Sequence, residues 1–159
     1  MHIINNLKAF VKGFGYAFRG IVSSVKSERN MRVHLCVAFY VILFMRFYDL
    51  TIGQKCIVYA VIGLVISLEL VNTAIEAVVD LCSPKYHSLA KFAKDSAAGA
   101  VLVSAIFAVV VAYHLFWSTS IFNEIFFYFK SNILMLILLL LSIVLCFLFI
   151  FGIKDFKKK

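Results

Sequence analysis

Five polar side chains interrupt one long apolar stretch of the sequence: Glu69, Asn72, Thr73, Glu76 and Asp80. At 100° per residue, Glu76 falls about 20° to one side of Glu69, and Asp80 about 20° to the other. Asn72 and Thr73 fall about 60° and 40° away, so all five share one helical face. The opposite face is Val, Ile, Leu and Ala. A carboxylate inside a membrane helix costs about 2.5–3.5 kcal/mol at mid-membrane on insertion scales. A structural polar seam could be built more cheaply from Ser, Thr or Asn. Three aligned carboxylates therefore point to a cation or metal site.

Two further charged clusters accompany this face. One is Lys91, Lys94 and Asp95. The other is Lys26, Glu28, Arg29 and Arg32. Either alone reads as a solvated charged face or a headgroup anchor. Glu28, however, is the one acid among six basic residues on its side of the first span. Carboxylates, a lysine and one shared membrane level suit Mg²⁺-nucleotide chemistry on a lipid. A cation-transporting or structural membrane subunit is the rival reading, since intramembrane carboxylates also line ion paths. Lys94-Asp95 beside the acids suits a polyphosphate better than a bare cation.

The elements that must hold these groups follow from composition. Of 159 residues, 64% are hydrophobic and 15% charged, against about 25% charged in a soluble domain. Mean hydropathy is +1.00. A chain of this size and composition cannot be covered by polar surface, so we read residues 1–159 as a single, all-α membrane domain. Residues 5–26 follow an amphipathic pattern, with Phe10, Phe14, Phe18 and Ile21 on one face and Lys12, Arg19 and Lys26 off it. Together with the turn to residue 30, this reads as a helix lying in the membrane plane. Three spans follow, at 33–47, 57–81 and 93–117, the first as a continuation of the basic helix. A fourth occupies 132–153, and 154–159 forms a basic tail.

Thirteen basic residues fall on the side of the N-terminus, middle loop and tail, against Arg46, Lys55 and Lys130 on the other. By the positive-inside rule the N-terminus and the acid cluster face the cytoplasm. The net charge of +8 then serves lipid headgroups, and no nucleic-acid partner is expected. The four cysteines form no CxxC pair and read as apolar packers. The N-terminus lacks the small-residue cleavage site of a signal peptide. No Walker A motif occurs, and Gly13, Gly15 and Gly20 do not form a dinucleotide fingerprint. In the third span Ser96, Ala100, Ser104, Ala108 and Ala112 recur every four residues, flanked by Ala93, Ala97 and Ala105, and should meet another helix. The fourth span has no such stripe. It should face lipid on all sides and leave the catalytic face alone.

The stretches SERNMRVHL at 27–35, ELVNTAIEAVVD at 69–80 and AKDSAAGA at 93–100 resemble the small bacterial membrane diacylglycerol kinase family. The first is similar to its Gram-positive branch, which phosphorylates undecaprenol. The resemblance covers about residues 7–116. It implies a surface helix plus three spans, assembled as a homotrimer with shared active sites on the cytoplasmic side of the cell membrane. It implies transfer of the ATP γ-phosphate, with Mg²⁺, to a lipid alcohol: undecaprenol, or in the alternative diacylglycerol, giving phosphatidic acid. By motif, Glu69 resembles the general base, and Glu28 and Glu76 the metal-bridging carboxylates. Tyr16, Tyr86, His87, Lys94 and Asp95 resemble nucleotide contacts, supported by Asn72 and Asp80. Two features depart from the family. Position 9 is Ala, between Lys8 and Lys12, where a basic nucleotide contact is expected. The fourth span is additional.

Overall fold

The computed structural model describes the backbone of residues 2–152 and the side chains of residues 10–152. Every regular element among them is helical: α1 (His2–Ser27), α2 (Arg29–Phe44), a 3₁₀ turn (Met45–Phe47), α3 (Ile52–Cys82), α4 (Ser88–Phe116), α5 (Thr119–Ser131) and α6 (Ile133–Phe151). α2 with its 3₁₀ turn, α3, α4 and α6 are long and apolar enough to cross a membrane. The protein is an all-α membrane bundle. The basic tail and the end of the fourth span at residue 153 lie outside the described residues, as does the side chain of Lys8.

The expected continuity of α1 into the first span is not observed. The chain leaves helical geometry at Glu28 (φ −114°, ψ 120°) and re-enters at Arg29. Glu28 occupies the N-cap position of α2, but its side chain does not accept the cap hydrogen bond. On α1, Phe10, Phe14 and Phe18 are exposed, as a helix lying on lipid requires.

α3 starts five residues before the expected span. Thr51 and Gln54 form a reciprocal capping box: Gln54 N donates to Thr51 Oγ1 (3.3 Å), and Thr51 N donates to Gln54 Oε1 (2.9 Å). Two orphan donors of the first turn are thereby satisfied. With 31 residues, α3 is about 46 Å long at 1.5 Å per residue. It overshoots a hydrocarbon core of about 30 Å by roughly three turns. The Glu76–Cys82 end can therefore reach the headgroup level. The loop around Pro84 turns the chain into α4, whose first turn is capped by His87 Nδ1 accepting from Leu89 N (3.2 Å).

The α3–α4 hairpin is the most extensively packed pair, and α2 lies against α3. The face of α4 that packs is not the strict four-residue stripe. Ala97, Val101 and Ser104 are buried, and Ala105, Ala108 and Ala112 line a 300 Å³ apolar cleft shared with α2 and α3, whereas Ser96 and Ala100 are exposed. The cause is helix geometry: each four-residue step turns about 40° past the previous position, so a four-residue stripe winds off the contact face.

α5 was not foreseen in the link between the last two spans. It is amphipathic, with Ile121, Ile125, Tyr128 and Phe129 half-buried. Phe129 meets Phe44, and Tyr128 meets Phe47. Arg46 donates to Tyr128 Oη (3.3 Å) and stacks on both Phe47 and Tyr128. These aromatics form the kind of amphipathic belt that membrane interfaces favour.

α6 lies at the edge of the bundle with no buried residue. It is not lipid-facing on every side, however. Tyr40 and Ser142 hydrogen-bond across the α2–α6 contact (3.0 Å), and Arg32 Nε donates to the Ile150 carbonyl (3.2 Å). Ser142 is the single polar residue between Ile133 and Phe151 apart from Cys146, and half-burial of both on the α2 side leaves the pure hydrocarbon faces outward.

Candidate active site

The end of the bundle where α1 stops and α3 turns into α4 concentrates the buried polar groups. Among the described residues Ser24, Arg32, Glu69 and Asn72 are buried on this side, Ser104 is buried near the middle of α4, and Glu69 is only 2% exposed. Glu69 and Asn72 are brought inside by the α3 face that α2 and α4 cover. Its sequence neighbours Leu68, Leu70 and Val71 are more exposed. A lipid-embedded helix can hide a carboxylate only on a protein-covered face, so the polar stripe dictates which side of α3 packs.

The carboxyls of Glu28 and Glu76 both lie within electrostatic reach of Glu69. The break before α2 thus carries Glu28 to the acid face of α3, joining two clusters that are 41 residues apart in the sequence. The third cluster joins through Lys94. Its Nζ donates to Asp80 Oδ1 at 2.8 Å, and Glu76 and Glu28 also act on its charge. Asn72 Nδ2 donates to Glu76 Oε1 (3.0 Å), and Thr73 Oγ1 donates back to the Glu69 carbonyl (2.9 Å). Asn72 Oδ1 is buried and has no hydrogen-bond partner among the described residues. A buried acceptor without a donor is costly by about 1–3 kcal/mol and marks a place where a bound hydroxyl or water would be stabilised.

The remaining candidates are less closely joined. Tyr16 is exposed on α1 beneath the Arg19 guanidinium, 4.7 Å from the ring centre. Tyr86 is exposed in the α3–α4 loop, and His87 caps α4. Asp95 is exposed one residue beyond Lys94. Among the described residues none of these four hydrogen-bonds to the acid cluster.

The donor set bears on metal binding. Glu28 and Glu76 supply hard carboxylate oxygens. Mg²⁺ held with nucleotide phosphates needs only one or two protein carboxylates, so this pair fits it. Among the described residues no three His, Cys, Asp or Glu side chains are grouped to enclose a metal unaided. Glu69 and Glu76 are seven residues apart, about 10 Å along the helix.

Arg32 was read from the sequence only as part of a basic cluster. It is 1% exposed, and its Nη1 donates to the carbonyls of Val25 (3.0 Å) and Lys26 (3.3 Å). These are last-turn carbonyls of α1, which have no intrahelical partner. The available signal is position: an arginine one turn after Glu28, at the start of the apolar first span.

Sequence comparison bears on what this site does. The profile described as Prokaryotic diacylglycerol kinase matches residues 15–116, ending at the last residue of α4. The undecaprenol kinase of Bacillus subtilis is 43% identical over 112 residues, covering 70% of this chain and 91% of the relative. A diacylglycerol kinase of Synechocystis is 43% identical over 99 residues, covering 62% of this chain and 57% of the relative. The diacylglycerol kinase of Escherichia coli K12 is 31% identical over 117 residues, covering 72% and 96%. Glu28, Glu69, Glu76, Asp80 and Lys94 all fall inside the matched stretch, whereas α5 and α6 lie beyond it. A transporter reading has no support in this company: the chain belongs to the prokaryotic diacylglycerol kinase family and is a membrane-embedded lipid kinase that takes ATP as its phosphoryl donor.

Proposed function

We propose that the chain phosphorylates undecaprenol, using MgATP, at the cytoplasmic face of the cell membrane. The observation that carries the reading is the convergence of Glu28, Glu76, Asp80 and Lys94 around a buried Glu69 at one end of the bundle. Glu69 lies about two turns deeper than Glu76. In this reading the lipid hydroxyl gives its proton to the Glu69 carboxylate as its oxygen bonds to the γ-phosphorus. The bond to the bridging oxygen breaks, and ADP leaves. Base catalysis of this kind contributes about 10²–10⁴-fold.

Glu28 and Glu76 hold Mg²⁺, whose role when bound is to neutralise phosphate charge. Lys94, kept in place by Asp80, adds a second positive charge toward the polyphosphate. Asn72 orients Glu76 through its amide N–H₂ and offers its open oxygen as an acceptor. Tyr16, Tyr86, His87 and Asp95 contact the nucleotide. We place them against a homotrimer with shared sites, because one chain alone does not join them to the acid cluster. The thirteen-to-three distribution of basic residues supports the cytoplasmic side.

Undecaprenol is favoured by the SERN stretch at 27–30 and by the Bacillus relative's name; the Synechocystis and Escherichia relatives favour diacylglycerol. Purified protein in mixed micelles, given labelled ATP and Mg²⁺, should label undecaprenol faster than diacylglycerol at equal mole fraction. Preference for diacylglycerol would overturn the substrate assignment.

A further inference from the structure

The fourth span docks in a fixed register. Arg32 meets Ile150, Cys36 meets Cys146, and Tyr40 meets Ser142. Each step is four residues on both helices, and the two helices run antiparallel. Positions four apart are neighbours on a helix surface, so the three contacts form one continuous seam that winds slowly around both helices. Ser142 Oγ donates to the Leu139 carbonyl (2.7 Å), which leaves the Tyr40 hydroxyl as the donor across the seam. Side-chain hydrogen bonds and thiols are rare means of association on a Leu-rich helix, and in lipid they specify register where packing alone does not.

At the site end of this seam sits one guanidinium. Arg32 Nη1 serves Val25 and Lys26 at the C-terminus of α1, while Nε serves Ile150 at the C-terminus of α6. Both helix ends carry partial negative charge and unpaired carbonyls. A planar fork with several fixed N–H donors can bridge them, and a lysine ammonium cannot do so with the same geometry. The bridged carbonyls end at Lys26, two residues before the break at Glu28.

We infer that α6 is a positioning element of the kinase site: seated on α2 by the 32–150, 36–146 and 40–142 register, it completes the Arg32 bridge and so holds the α1–α2 break that presents Glu28. This rests on the reading of Glu28 as a metal-binding carboxylate. It gives the additional span a function that its edge position and smooth composition conceal.

The test uses the full-length chain with Cys56→Ser and Cys82→Ser, leaving Cys36 and Cys146 as the two thiols. Mild oxidation should link them within one chain, mapped by mass spectrometry; absence of the link overturns the seam. Ser142→Leu keeps α6 apolar and places bulk opposite Tyr40. It should suppress the link and weaken Mn²⁺ binding in the presence of nucleotide, read by EPR, by at least about fivefold, the lower end of usual coupling between sites. Arg32→Lys should weaken Mn²⁺ binding similarly while the link still forms. In both variants the KM for lipid should stay unchanged. A link that survives in Ser142→Leu, or Mn²⁺ binding unchanged in both variants, overturns the inference. Glu28→Gln separates this from the metal reading. If it loses Mn²⁺ while the two seam variants keep it, the positioning role alone fails. If it keeps Mn²⁺, Glu28 is no ligand and both fail.

Discussion

The two ends of the same three helices are built from opposite materials. Toward one end Arg32, Glu69 and Asn72 are buried, with Arg32 bonded to the last turns of α1 and α6. At the other, Met45, Tyr48, Leu50 and Val58 are buried against Leu115, Phe116, Ile121 and Ile125. Tyr48 stacks edge-on to Phe116 and donates to its carbonyl at 2.9 Å, which satisfies the last turn of α4. Lipid tails are as apolar as leucine, so association inside a bilayer draws on close packing and hydrogen bonds rather than on escape from water. The aromatic end supplies both, with edge-to-face ring pairs worth about 0.5–1.5 kcal/mol each. The acid end gathers like charges and, among the described residues, one orphan acceptor, Asn72 Oδ1, all of which oppose assembly. Under the proposed function, separation along the membrane normal lets one end carry the fold while the other carries the chemistry.

That contrast can be broken from either side. The largest effect is expected at the metal carboxylates. Glu28→Gln and Glu76→Gln should each nearly abolish turnover and weaken Mg²⁺ dependence, since a metal clamp is worth several kcal/mol in the transition state. Near-wild-type rates in micelle assays of both would remove them from the site. Glu69→Gln should lower turnover by about 10²–10⁴-fold and still bind MgATP in equilibrium titrations. Equal loss of nucleotide binding would assign it to the metal or to folding.

Lys94→Met should act more mildly on the chemistry, raising the KM for ATP by about tenfold, as loss of one charged hydrogen bond implies. Its stability should change by less than about 1 kcal/mol, because the Asp80 partner is exposed. At the opposite end the order reverses. Tyr48→Phe should cost about 1 kcal/mol in unfolding measurements and leave turnover per folded protein unchanged. A fall in its rate constant would mean that the two ends are coupled, and the comparison would fail.

Legibility in the sequence followed interaction range. The acid face of α3 was readable because Glu69, Asn72, Glu76 and Asp80 sit on one helix, where 3.6-residue periodicity alone sets their angles. The Thr51–Gln54 capping box and the amphipathic α5 carry equally local signals, in T-x-x-Q and in Ile121, Ile125 and Tyr128, but neither contains a long apolar run. The α4 stripe leaves the contact face at Ser96 and Ala100 because a four-residue repeat is not parallel to the helix axis.

The amino-acid sequence by itself determined the number of apolar spans, the stripe of carboxylates on one of them, and the excess of basic residues on one side. These are properties of single segments, imposed by hydrocarbon thickness and helix pitch. Only the tertiary structure decided that the helix breaks at Glu28, that Glu28 and Lys94 meet the α3 acids, and that α6 locks onto α2 with Ile150 beside Arg32. Each of these depends on which carbonyls and charges from distant segments are left without partners, and in a membrane those groups are satisfied by whichever helix packs beside them.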